Sequence, residues 1–154
     1  MRFSNQSRYA LRATLALAKS GKDGSPVSIN NLSEQEQISA IFLEQIFFKL
    51  RKAGLLSSVR GSGGGFYFTR PLDKVTLKEI LDAVGEDIDT ISCDKHNNRD
   101  CQRMNDCLSH RILLEMTNIL NDFLKNVTLA SVLEKYDFKK MENNSLEMKQ
   151  KELL

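Results

Sequence analysis

The chain has no tryptophan, no cysteine outside residues 93–107, and no apolar run approaching the ~18 residues that span a bilayer. It also has no Ser/His/Asp constellation, no phosphate-binding glycine loop and no paired-carboxylate motif, so nothing in it points to an enzyme. Its three cysteines are an odd number and no secretory signal pattern precedes them. Both features argue against a disulfide framework and for a reducing compartment. The expectation is a soluble, cytoplasmic, non-enzymatic protein that does not engage membranes. At 154 residues and 41% hydrophobic content, with eight phenylalanines, it is long enough for one packed domain or a small domain plus an appendage.

The scarce residues are not scattered. Cys93, Cys101, Cys107 and His110 fall within eighteen positions, separated by seven, five and two residues. Three soft thiolates with one imidazole are the donor set of zinc or of an iron–sulphur cluster. The intervening stretch is polar, without proline or glycine and without helical or strand period, and a loop that long inside a domain is usually functional or disordered. Isolated cysteines are often small buried hydrophobes, but confinement to one polar loop argues against that here. If Leu108 lies in a first helical turn, Cys107 and His110 are three apart and face the same way.

Charge divides the chain. Residues 1–70 carry ten Lys and Arg against four Asp and Glu, a net +6, whereas residues 71–154 carry twelve against sixteen, a net −4. A basic first half suggests an anionic partner, with nucleic acid leading because counterion release rewards clustered cations. The apolar pattern over residues 5–19 predicts a helix ending at Gly21. A short amphipathic helix follows Ser28, and a third runs from Ala40 to Ala53, capped by Ser39 and closed by Gly54. In that third helix Leu43, Ile46, Phe47 and Leu50 form one stripe, while Gln45, Lys49 and Lys52 point away. Two compact helices joined by a tight turn, the second with a polar outer face, match a helix-turn-helix over about 28–53. Residues 55–70 then read as a hairpin wing whose Gly-rich tip, flanked by Arg60 and Arg70, lets backbone approach phosphate. Thr76-Leu-Lys-Glu79 is a capping box opening a helix to about Val84. Leu108–Val127 is the longest apolar-periodic stretch, wide enough to predict packing against a second copy. Thr128–Tyr136 makes a last short helix, and 141–154 reads as a flexible charged tail. The fold class expected is mainly α with a small β-hairpin wing. It comprises a winged helix-turn-helix domain over 1–72, then a ligand loop (92–110) and dimerisation helix (108–127) within 73–140.

Over residues 1–135 the chain resembles the iron–sulphur cluster regulators of the Rrf-type winged-helix transcription factors. The segments that carry the resemblance are Arg8-Tyr-Ala-Leu11, Leu43-Glu-Gln-Ile46, Leu50-Arg-Lys-Ala-Gly-Leu55, Ser57-Ser-Val-Arg-Gly61 with Gly63-Gly-Gly65, Cys107-Leu-Ser-His110 and Asn126-Val-Thr-Leu129. It implies a homodimeric repressor or activator that binds a double-stranded DNA operator and controls iron–sulphur cluster assembly genes. It further implies a [2Fe–2S] cluster on Cys93, Cys101, Cys107 and His110, supplied by the assembly machinery. Ser39, Ile41, Glu44, Gln45, Lys49, Lys52, Arg60, Gly63 and Gly64 are the expected DNA contacts: Gln45 and Glu44 at base edges, Ile41 at a thymine methyl, the lysines at phosphates. The chain departs from the family in three places. Seven residues separate its first two cysteines where the family more often has fewer, and His96 sits among them. Ser62 stands where a proline is common. Phe48 lies near the outward face of the third helix with no evident reason. Relatives that sense nitric oxide use an aspartate in the first helix as a ligand; the matching Arg8 cannot serve.

Two other classes fit less well. The ligand spacing is near that of zinc fingers that bind single-stranded RNA, but such fingers stack bases on aromatics and residues 93–110 contain none. A cluster-free thiol redox regulator would use the same cysteines without metal.

Overall fold

The computed structural model describes residues 3–21, 23–88 and 106–136. Three helices open the chain: α1 (Asn5–Ser20), α2 (Ile29–Glu36) and α3 (Ala40–Lys52). Each starts on a serine whose hydroxyl accepts a backbone N–H, Ser4 from Ser7, Ser28 from Asn31 and Ser39 from Phe42. Such a cap satisfies an amide the helix itself cannot, a stabilisation of about 1 kcal/mol each. Between α2 and α3, Gln37 turns into the left-handed region at φ 55°. The Ser33 hydroxyl donates to the Ile38 carbonyl at 2.6 Å, which closes the tight turn of the helix-turn-helix. The buried stripe of α3 is the expected one: Leu43, Ile46, Phe47 and Leu50 are all fully buried.

The wing is an antiparallel hairpin of β1 (Leu56–Val59) and β2 (Gly65–Phe68), with Leu56 opposite Phe68 and Val59 opposite Gly65. Its base is tied down twice. Val27 and Phe66 exchange both backbone hydrogen bonds at 2.9 Å, and the Phe66 ring meets Phe47 edge to face with centroids 5.0 Å apart.

After a short 3-10 turn (Leu72–Lys74) come α4 (Leu77–Val84), α5 (Leu108–Asn126) and α6 (Leu129–Lys135). The capping box is present at α4: the Thr76 side chain accepts from Glu79 N–H, and the Glu79 carboxylate accepts from Thr76 N–H. Burial pushes the Glu79 carboxyl up, but the bonds from the Thr76 amide, the Arg70 guanidinium and the Thr76 hydroxyl outweigh it and hold the group below its ordinary value. The chain leaves α5 and returns to the first domain, where Leu77 N–H donates to the Val127 carbonyl and Leu129 N–H to Val75, both at 2.9 Å.

One core therefore runs through both expected units. Val75, Ile80, Val84 and Leu129 join Leu17, Leu32, Leu43 and Phe47 in a single buried cluster. The predicted boundary after residue 72 marks a change of element type and not an edge of the core, because α4 and α6 supply part of its floor. Most of the ligand loop and the tail over 141–154 lie outside the described residues. Among the described residues no helix is long and apolar enough to cross a membrane.

Candidate nucleic-acid interface and ligand pair

The outer face of α3 carries Ile41, Glu44, Gln45, Phe48 and Lys52, all exposed. With Gln6 of α1, these side chains border one open groove. Gln6 had no signal in the sequence: it sits two elements away, and only the packing of α1 against α3 brings it beside the polar face. Ser39 lies exposed at the N-terminus of α3, its hydroxyl engaged as the cap.

Sequence cannot tell which cations are free. Arg12 pairs with Glu36 at 3.2 Å and Arg70 with Glu79 at 2.7 Å. Arg51 donates to the Ser58 hydroxyl at 3.2 Å, and Arg8 donates to the Asn5 side chain. Lys49 departs from the expectation that it points outward. Its ammonium donates to Gln6 Oε1 at 2.9 Å and to the Val84 carbonyl at 3.3 Å, so it joins α3 to α1 and to the end of α4. Lys52 and Arg60 are exposed and have no partner among the described residues, which leaves them the cations best placed for phosphate.

The two wing glycines expected at DNA differ. Gly63, at the exposed tip with φ 82°, has open space where a Cβ would stand. At Gly64 a Cβ would overlap the Val59 carbonyl, and at Gly65 the Val27 carbonyl. The chain's own backbone therefore excludes side chains there, so the Gly-rich run owes part of its composition to closing the wing rather than to a ligand.

A second constellation lies at the start of α5. Cys107 occupies its N-cap position with a free thiol, and His110 follows within the first turn. Among the described residues the His110 Nδ1 atom is buried without a hydrogen-bond partner. An unsatisfied buried polar atom costs about 1–3 kcal/mol, so the atom is open to a partner from outside the described residues, whether protein or a bound group. A thiolate at a helix N-cap sits at the positive end of the helix dipole. Both observations fit the soft-ligand site read from the sequence; Cys93, Cys101 and His96 lie outside the described residues.

The segment that leads toward Cys93 is anchored firmly. Glu86 accepts hydrogen bonds from the hydroxyls of Ser4, at 2.6 Å, and Ser7, and from Ser4 N–H at 3.2 Å. Those bonds, with the Ser4 and Ser7 hydroxyls foremost, hold its carboxyl below the ordinary range. Ile88 packs with Leu81 and Leu124.

The apolar stretch of α5 separates into two faces. Leu113, Thr117, Leu120 and Leu124 turn toward the protomer, whereas Leu108, Ile112, Met116, Ile119 and Phe123 are exposed. At 100° per residue the two rows lie about 110° apart around the helix. Ile119 is 63% exposed and Phe123 55%.

The family of Rrf2 iron-dependent transcriptional regulators matches residues 3–135. The chain is 36% identical over 137 residues to the HTH-type transcriptional regulator IscR of Yersinia pseudotuberculosis, covering 89% of this chain and 82% of that one. Among solved structures it is similar to T. potens IscR, with TM-score 0.69, 26% identity and 88% of both chains covered. It is also similar to CymR, the global cysteine regulator of B. subtilis, with TM-score 0.71, 26% identity and coverage of 88% and 98%.

Proposed function

The chain belongs to the Rrf2 family of transcriptional regulators, and from that premise we propose that it is a homodimer controlling iron–sulphur cluster assembly genes through a [2Fe–2S] cluster. The fold does not discriminate between cofactors, since the structures of an IscR and of CymR are equally similar to it. The proposal rests instead on this chain's own donors. The observation that carries it is the His110 Nδ1 atom, buried without a hydrogen-bond partner among the described residues, three positions after the free Cys107. Cys93 and Cys101 complete a set of three thiolates and one imidazole. A bound cluster supplies redox- and oxidant-sensitive iron–sulphur chemistry; the residues hold it, and α5 and the segment over 85–88 anchor the two ends of the loop that carries them. The cluster assembly machinery is the donor.

The exposed row of α5 supports dimerisation. Five large apolar side chains on one helix face leave a hydrophobic strip that a second copy, related by two-fold symmetry, would cover. The operator is then double-stranded DNA of approximate two-fold symmetry, with α3 in the major groove and the wing along the backbone. Glu44 and Gln45 reach base edges, Ser39 and Gly63 lie at the rim, and Lys52 and Arg60 meet phosphate.

The test is anaerobic purification with iron and sulphide analysis. Alanine at Cys93, Cys101 or Cys107 should abolish visible cluster absorption, and His110→Ala should weaken or abolish it, while His96→Ala leaves it intact. Loss in His96→Ala with retention in His110→Ala would overturn the ligand assignment; zinc without sulphide would overturn the cluster.

A further inference from the structure

Two large apolar side chains stand in water on the face of α3 that the proposed function turns toward DNA: Ile41, 73% exposed, and Phe48, 58% exposed. Neither contributes to the core, and Phe48 follows directly on the fully buried Phe47. They are seven residues apart, which on an α-helix means two turns: the same face to within about 20°, separated by about 10.5 Å along the axis. Glu44 and Gln45 lie on the turn between them, and all four border one open groove. A helix lying in the inclined major groove projects only part of that axial length onto the duplex axis, where base pairs repeat about every 3.4 Å, so Ile41 and Phe48 face base pairs about two to three steps apart. The one apolar group on the floor of the major groove is the C5-methyl of thymine. Lys52, one turn beyond Phe48 and unpaired among the described residues, gives this strip a cationic margin suited to a duplex rather than to an apolar protein partner.

We propose that Ile41 and Phe48 each read a thymine methyl group, at positions about two to three base pairs apart in the operator half-site, flanking the hydrogen-bonding readout by Glu44 and Gln45. This rests on α3 being the helix that enters the major groove. It deepens that reading by assigning Phe48 a role and by specifying where methyl groups stand relative to the polar contacts. Because the contact is to a methyl group and not to a hydrogen-bonding edge, a 5-methylcytosine at either position satisfies it in part where an unmodified cytosine does not.

The experiment uses the full chain, purified anaerobically. Duplexes are enriched from a random pool, and each thymine of the enriched half-site is then replaced singly by deoxyuridine, which deletes only the methyl. Two positions about two to three base pairs apart should each lose about fourfold in affinity, the effect of removing one buried methyl-sized group. Phe48→Ala should abolish the deoxyuridine effect at one position and Ile41→Ala at the other. Both residues are exposed, so these variants keep the fold; circular dichroism and the melting temperature verify it. If deoxyuridine is neutral at every thymine while the duplex still binds tightly, the inference is overturned and the DNA reading stands. If Phe48→Ala weakens thymine and deoxyuridine duplexes equally, Phe48 packs on sugar and phosphate and the inference is again overturned. If no duplex is enriched, the DNA reading itself falls and takes this inference with it.

Discussion

The region up to residue 88 and the helix α5 differ in how completely the protomer satisfies them. In the first region each helix start has its cap, the carboxylates of Glu79 and Glu86 have hydroxyl and backbone donors, and the large side chains of α3's inner face are fully buried. Its exposed large apolar side chains are few: Ile41 and Phe48 on α3 and Val59 on the wing. In α5 the balance is reversed: six large apolar residues are exposed, the N-cap Cys107 makes no side-chain capping bond, and the His110 Nδ1 atom is buried with no partner among the described residues. A region complete in itself can present a rigid reading surface. On the proposed reading, the groups left without partners there are those that a second copy and a bound cluster would satisfy.

The largest effect contrasts one phenylalanine from each region. Phe47→Ala should lower unfolding free energy by about 3–5 kcal/mol, independently of protein concentration, in urea titrations. If α5 forms the proposed dimer seam, Phe123→Ala should instead reduce the dependence of the melting temperature on concentration, since the contact it removes would be intermolecular. Equal, concentration-independent losses would erase the distinction. If α5 forms the proposed dimer seam, Ile119→Glu places a charge in it and should raise the dimer dissociation constant by roughly a hundredfold or more, read by sedimentation; an unchanged dimer would place the interface elsewhere.

At Glu86 the expected effect is smaller. Its folded-state pKa is depressed below 4.5, so its stabilisation is fully present above the unfolded value and is lost as pH falls through the folded one. Glu86→Gln should flatten the decline in stability below pH 4.5 and lower stability near neutrality by about 1 kcal/mol. An identical acid limb in wild type and variant would remove Glu86 as an anchor. The smallest effect distinguishes two lysines on one helix. Lys52→Ala should reduce the salt slope of DNA binding by about one unit per lost contact, and Lys49→Ala by less, because its ammonium already serves Gln6 and Val84. Equal slopes would mean that Lys49 leaves those partners to reach phosphate.

The helix starts were legible because capping is local: Ser28, Ser39 and Thr76 announce themselves within four residues of the amides they serve. The inner stripe of α3 was legible for a similar reason, since periodicity selects a face without knowledge of what it meets. The single wide stripe read over Leu108–Val127 needed correction, because period alone cannot separate a row facing its own protomer from one displaced by about 110°. The wing glycines were only half understood: the need for Gly64 and Gly65 arises from Val59 and Val27, one of which lies far away in sequence.

By itself the sequence determined the order of helices and wing, the ligand candidates and the division into a basic and an acidic half, because caps, turn residues, donor chemistry and charge are properties of residues and their near neighbours. Only the tertiary structure decided that α4 and α6 complete the first domain's core, that Gln6 borders the outer face of α3 and that Lys49 is engaged there while Lys52 has no partner among the described residues. It alone showed His110 Nδ1 buried without a partner among the described residues. Each of these depends on which distant segments meet, and that is settled by how the whole chain buries its apolar surface.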